Sequence, residues 1–266
     1  MSIVPSLTTT QVAALSTTTL NSLATSDMVL FASTQIQAFT STQLNALSST
    51  NLDAFTTAQV SKLTTTQVAA LTSTQLNLME TTDVAALTTT QVSNLTSTQL
   101  NGLDTTHLGA LSSVQVASLT STQVNALSAG NLAALTTTQV AGLTTTQASN
   151  LTSTQLEGLQ TSDMAALSTA AVASLTSTQL NALGSTNLQA ISTAQAAALT
   201  TTQVSNLTST QLNALQTSDL AALNTAAVGS LSSTQLNALS STNLAALSTA
   251  QVSKLTTTQV AALTST

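Results

Sequence analysis

A chain that repeats every eight residues can be neither one long helix nor one long strand. From Leu7 to Ala262 the sequence divides, without insertion, into 32 octads of the form Leu-[Ser/Thr]-[Ser/Thr]-x-[Gln/Asn/Asp]-[Val/Leu]-x-small. Counting from its Leu, position 1 is Leu in 27 of the 32 copies, the others being Phe31, Phe39, Phe55, Met79 and Ile191. Position 6 is Val, Leu, Ile, Met or Ala in every copy. A continuous α-helix advances about 100° per residue, so eight residues overshoot two turns by about 80° and the Leu column would wander around the axis. In a continuous strand positions 1 and 6 have opposite parity and point to opposite faces. The backbone must therefore turn inside every octad.

The turn has a helix-start chemistry. In Ser/Thr-x-x-Gln, a hydroxyl at the N-cap accepts from the N3 amide while the N3 Gln reaches back to the cap amide. Thr200 and Gln203 stand at that spacing, as do Thr208 and Gln211. Leu199 before the cap and Val204 at N4 then form a hydrophobic staple. This predicts an all-α solenoid, with one very short helix per octad followed by a Ser/Thr corner. Such helices are too short to stand alone and must be held by stacking. Position 3 is a complication, because it is Ser or Thr in 31 of 32 octads (Ala129 is the exception), while the cap at position 2 admits Ala24, Ala32, Glu80 and Gln160. Either position 3 bonds a neighbouring repeat, or the cap lies one residue later. A β-solenoid, with one octad per side and inward-facing hydroxyls, is the alternative.

A second period runs through position 5. Gln occupies it in 20 octads, but Asp27, Asn51, Asp83, His107, Asn131, Asp163, Asn187, Asp219 and Asn243 replace it at gaps of three or four octads. From residue 87 the chain also repeats in blocks of seven octads: 87–142, 143–198 and 199–254. Alternating steps of three and four units mark one face of a helix with about 3.5 units per turn, as in heptads. The expectation is a superhelix of roughly 3.5 octads, or about 28 residues, per turn. The domain reading is a lead-in over residues 1–6 and a single solenoid over 7–266.

This ladder is the candidate site. An acid at N3 is favoured by the helix dipole and the cap amide, which explains the Asp rungs without any function. Single carboxylates on successive turns cannot converge on one metal ion, so no metal or other cofactor is expected. His107 reads as one more structural rung, and Glu80 with Asp83 as a variant cap. No Ser or Thr has a base to activate it, so no enzyme is expected.

Charge closes further classes. Lys62 and Lys254 are the only cationic side chains besides the single His, and Arg is absent. A nucleic-acid partner, which needs cations to replace phosphate counterions, is therefore not expected. Charged residues make up 4% of the chain, so Ser, Thr, Gln and Asn must cover its surface. Large apolar residues placed twice per octad argue against disorder. No run approaches the roughly 20 apolar residues of a membrane span. Absence of Cys suits an oxidising exterior, although MSIVPSLTTTQ lacks the basic and apolar regions of a signal peptide.

The opening LTTTQV of residues 135–140 resembles the first helix start in the repeats of transcription-activator-like effectors. Those repeats are about four times longer, and the base-reading pair and cationic stripe are missing here, so DNA binding is not implied. The phrase LTSTQLNAL is similar to the Thr/Gln/Leu octapeptide tracts of large bacterial secreted and surface proteins. That resemblance implies an extracellular structural or adhesive role and brings no catalytic residues. The first octad equals the one at 255–262, and uncapped head-to-tail contacts build filaments. The functional expectation is a structural protein that assembles with itself end to end, or a surface stalk or spacer. Its rival is a binding module whose Ser/Thr rows recognise ice or a carbohydrate.

Overall fold

The computed structural model describes residues 2–263. Among these, 32 α-helices of four to six residues follow one another from Thr9–Ala14 to Thr257–Ala261, one per octad, and there is no strand. The chain is an all-α solenoid of very short helices, and the β-solenoid alternative is excluded. Two compact units divide it, Met1–Leu135 and Thr136–Thr266. Each repeats the same local pattern.

The cap sits at position 2, as the Ser/Thr-x-x-Gln spacing implies. Thr200 accepts from the Gln203 amide at 3.2 Å, and Gln203 Oε1 accepts from the Thr200 amide at 2.7 Å. Both halves of the capping box are therefore present. This helix ends at the next Leu, which is extended, as is the cap after it: Leu207 has φ −62°, ψ 138° and Thr208 φ −69°, ψ 160°. The corner thus consists of two extended residues. No described residue has positive φ, which is why the repeat needs no glycine at its helix ends.

Positions 1, 5 and 6 point inward, while positions 2, 3 and 4 form a largely exposed hydroxyl-rich skin. In the interior, position 6 is fully covered, as at Val204, Leu212 and Val228, and position 1 nearly so. Within each unit helices pack on the helix three octads later, as Thr81–Ala85 does on Thr105–Ala110 in the first and Thr201–Asn206 on Thr225–Gly229 in the second. Side-chain bonds between successive coils run from Asn21 up to Ala46 and from Gln67 down to Ile36, a little over three octads in one case and a little under four in the other. Midway between them lies three and a half octads, the pitch implied by the alternating steps of three and four.

Position 3 is explained by that pitch. It lies at N1, where it meets position 8 of the coil above. A Cβ on Gly102 would come within 2.4 Å of Ser73 Cβ, and Ser118 Oγ and Ser174 Oγ donate to the carbonyls of Thr89 and Thr145. The crossing selects a small residue at position 3, and the cap is not displaced. The lead-in is itself the end of an octad. Val4 is fully buried in the short 3-10 turn Val4–Ser6, and its carbonyl accepts from Gln35 Nε2 at 2.8 Å, as position 6 carbonyls do elsewhere.

Candidate functional site

A helix of four to six residues leaves most of its amides and carbonyls without an internal partner. The position 5 Gln supplies what is missing at two helices at once. Gln203 Oε1 takes the cap amide of its own helix, while Nε2 donates to the carbonyls of Val172 (3.0 Å), Ala173 (3.3 Å) and Leu175 (2.7 Å), where the helix of the coil below ends. Gln67 does the same with the Thr64 amide and the carbonyls of Ile36 and Phe39. These Gln side chains are buried. Buried amides are tolerated because both ends are satisfied.

An Asn at position 5 is one methylene shorter and cannot do both tasks. It keeps the downward one: Asn51 Nδ2 donates to the Leu20 carbonyl at 2.9 Å, and Asn131 Nδ2 to those of Leu100 (3.2 Å) and Asn101 (3.1 Å). The cap amide is then taken by a position 7 side chain from the coil below. Asn21 Oδ1 accepts from Ser48 (2.8 Å), Asn101 Oδ1 from Ser128 (2.7 Å), Glu157 Oε2 from Gly184 (2.7 Å) and Asn213 Oδ1 from Ser240 (2.9 Å). The His107 rung follows the same rule, with Nε2 on the Met79 carbonyl (2.9 Å) and Asn77 Oδ1 accepting from the Asp104 amide (3.1 Å). Thus Asn51, His107, Asn131, Asn187 and Asn243 each follow an Asn or Glu at position 7 by one fixed interval, the partners being Asn21, Asn77, Asn101, Glu157 and Asn213. Where such an Asn precedes a Gln, the two compete. Asn181 takes the Thr208 amide, and Gln211 Oε1 is left buried without a partner.

The Asp rungs keep the other task. Asp163 and Asp219 accept from the backbone of the cap residues Gln160 and Gln216. The hydroxyl cap is missing at all four Asp octads, where Ala24, Glu80, Gln160 and Gln216 stand in its place. At Asp219 the long cap side chain replaces the lost downward donor, with Gln216 Nε2 on the Gln189 carbonyl at 2.7 Å. Glu80 cannot do this. Its Oε2 accepts from Thr82 Oγ1 and makes no cap bond, which corrects its reading as a variant cap.

The second carboxylate oxygen is the anomaly. Oδ2 of Asp83, Asp163 and Asp219 is buried without a hydrogen-bond partner. Burial raises all three carboxyls above the ordinary carboxylate range, and Asp83, also beside Glu80 and Asp53, is pushed up to about 6. The expected dipole stabilisation is outweighed by desolvation, because the helix is short and the carboxylate is covered. Asp27, in the first coil, is only half-buried. Asp104 moves the other way, held down by its bonds from the His107 amide (2.9 Å) and ring Nδ1 (2.7 Å). Among the described residues no three His, Cys, Asp or Glu side chains gather as a metal site.

The geometry is that of one unit stacked on its own copies. Four stretches match the family model of the ALTTAQ repeat: residues 76–113, 157–190, 212–249 and 236–265. The chain is a tandem-repeat protein. The six letters of that family's description align with ALSTAQ at 246–251, which runs from the end of one helix through the corner to the next rung. No curated protein matches the chain. Among the described residues no helix is long and apolar enough to cross a membrane.

Proposed function

We propose that the chain is an extracellular structural protein whose copies add head to tail, forming a filament or a surface stalk. The observation that supports this is the sameness of the contact from coil to coil within each unit. Position 6 side chains such as Leu220 and Leu236 are 1% exposed, and the position 5 Gln of the next coil donates to the carbonyls where the helix below ends, as Gln67 does at Ile36 and Phe39 and Gln203 at Val172 and Leu175. A coil of one copy therefore carries both sides of the contact that a coil of another needs. Val252 and Val260, at 46% and 51% exposure, are position 6 side chains open to such a partner. The absence of Cys and the likeness to secreted octapeptide tracts support an exterior location.

Light scattering and electron microscopy of the full chain test the reading. Expected are concentration-dependent fibres of uniform width that added salt hardly affects, since screening acts on charges scarce here. Val252→Glu with Val260→Glu should stop growth and leave the helical circular dichroism unchanged. A chain that stays monomeric at high concentration overturns self-assembly. It would favour the exposed Ser/Thr skin as a surface for ice or glycans.

A further inference from the structure

At the Asp rungs the coil contact is built from the wrong chemistry. Every Gln and Asn rung described above presents an N–H to the coil below. An ionised Asp in the same buried position presents only oxygen. In the register that sets Gln67 on Ile36 and Phe39, the carbonyls below Asp83 are those of Leu52 and Phe55, and those below Asp219 belong to Leu188 and Ile191. A proton on Oδ2 would remove the buried charge and turn the orphaned acceptor into a donor like that of the Gln and Asn rungs.

We propose that Asp83, Asp163 and Asp219 form an acid-operated lock between coils, with the solenoid tightened when they are protonated and loosened when they ionise. Their surroundings leave little else to set the charge. Around Asp83, the helix Ser49–Asp53 brings Asp53, the cap brings Glu80, and Thr57–Val60 brings no charged side chain. The helix Thr105–Ala110, packed on that of Asp83, brings His107, which is held by Asp104 and the Met79 carbonyl. The helices packed on that of Asp163, Thr137–Ala141 and Ser185–Gln189, carry no titratable residue. Nor do those on Asp219, Thr193–Ala198 and Ser241–Ala245. The nearest acid along the chain from Asp163 is Glu157, whose Oε2 is already bonded by the Gly184 amide.

The sign follows from linkage. These carboxyls titrate higher in the folded chain than unfolded, so the folded state binds the extra proton. Their stabilising contribution is full below the ordinary value of 3.8 and is lost as pH rises through the folded value, about 6 for Asp83. Most acid-sensitive proteins behave in the opposite way over this range.

The test is a set of thermal melts by circular dichroism at pH 4.5, 6 and 8, on dilute chain that scattering shows to be monomeric. That keeps the result separate from assembly. It also stays above the range in which Asp104 acts in the opposite sense. The wild-type midpoint should rise from pH 8 to pH 4.5 by about 3 °C or more. The Asp83→Asn, Asp163→Asn, Asp219→Asn variant should melt higher than wild type at pH 8 and lose most of the rise. Asp53, raised by its own burial and by Glu80, leaves a small residual slope. An equal slope in wild type and variant, or a wild type that weakens in acid, overturns the proposal. If the variant does not fold, carboxyl carbon shifts of 13C-labelled wild type decide. Carboxyls of Asp83, Asp163 and Asp219 that titrate above the ordinary range support the lock, and these three titrating within it overturn the proposal.

Discussion

Two octads of the second unit, 199–206 and 215–222, carry different rungs. Both open with a buried Leu, Leu199 and Leu215, and both bury a polar side chain, Gln203 at 3% and Asp219 at 2% exposure. Gln203 bonds one cap amide and three carbonyls of the coil below. Asp219 accepts from its cap residue and leaves Oδ2 without a partner, so its cap, Gln216, must reach down instead. The difference separates two demands that look like one in the sequence. The apolar columns hold coils at a distance, and the rung joins them only where it can donate.

The largest expected effect is common to both octads. Leu199→Ala and Leu215→Ala should each cost about 2–5 kcal/mol in denaturant melts, because each empties a covered position in a thin core. If one cost far more than the other, rung and core would not be separable. The next distinguishes the rungs. Gln203→Ala leaves the buried Leu175 carbonyl and the Thr200 amide without their partner and should cost about 2–3 kcal/mol. Asp219→Ala removes a buried acid along with the bonds it accepts from the Gln216 backbone and the Ser218 hydroxyl, and should change stability by under about 1 kcal/mol at neutral pH. Equal losses would mean that the Asp rung carries the contact as well as Gln does.

The smallest effect tests the pairing of position 7 with the cap of the coil above. Asn213→Ala deprives the Ser240 amide of its acceptor, and Asn243 is committed to the coil below. A loss of about 1 kcal/mol is expected. Asn181→Ala exposes the Thr208 amide to the idle Gln211 Oε1, which can complete the capping box, so the loss should stay below about 0.5 kcal/mol. Thermal melts of the two variants side by side check the order. A reversed order would break the pairing rule.

The positions of the candidate site were legible in the sequence, and so was its period. Their burial and their division of labour were not. The signal was present, since Asn21 precedes Asn51 by the same interval that separates Asn77 from His107. It acquires a meaning only when residues that far apart are known to touch. Likewise, Glu80 beside Asp83 has the spacing of a cap, and only the packed coil puts Asp53 next to both.

What the sequence determined by itself is what acts within one octad. An eight-residue period admits no continuous helix or strand, Ser/Thr-x-x-Gln starts a helix, and the recurring Leu and Val name the buried columns. These bonds close locally, so no knowledge of the coil is needed to read them. The tertiary structure decided whatever passes from one coil to the next: which carbonyls a Gln amide meets, why position 3 stays small, and why three aspartates are held where ionisation is disfavoured. Those outcomes depend on a pitch of three and a half octads. The alternating rungs already carry that pitch in the sequence, but it brings particular amides and carbonyls together only when helices too short to be stable alone are stacked.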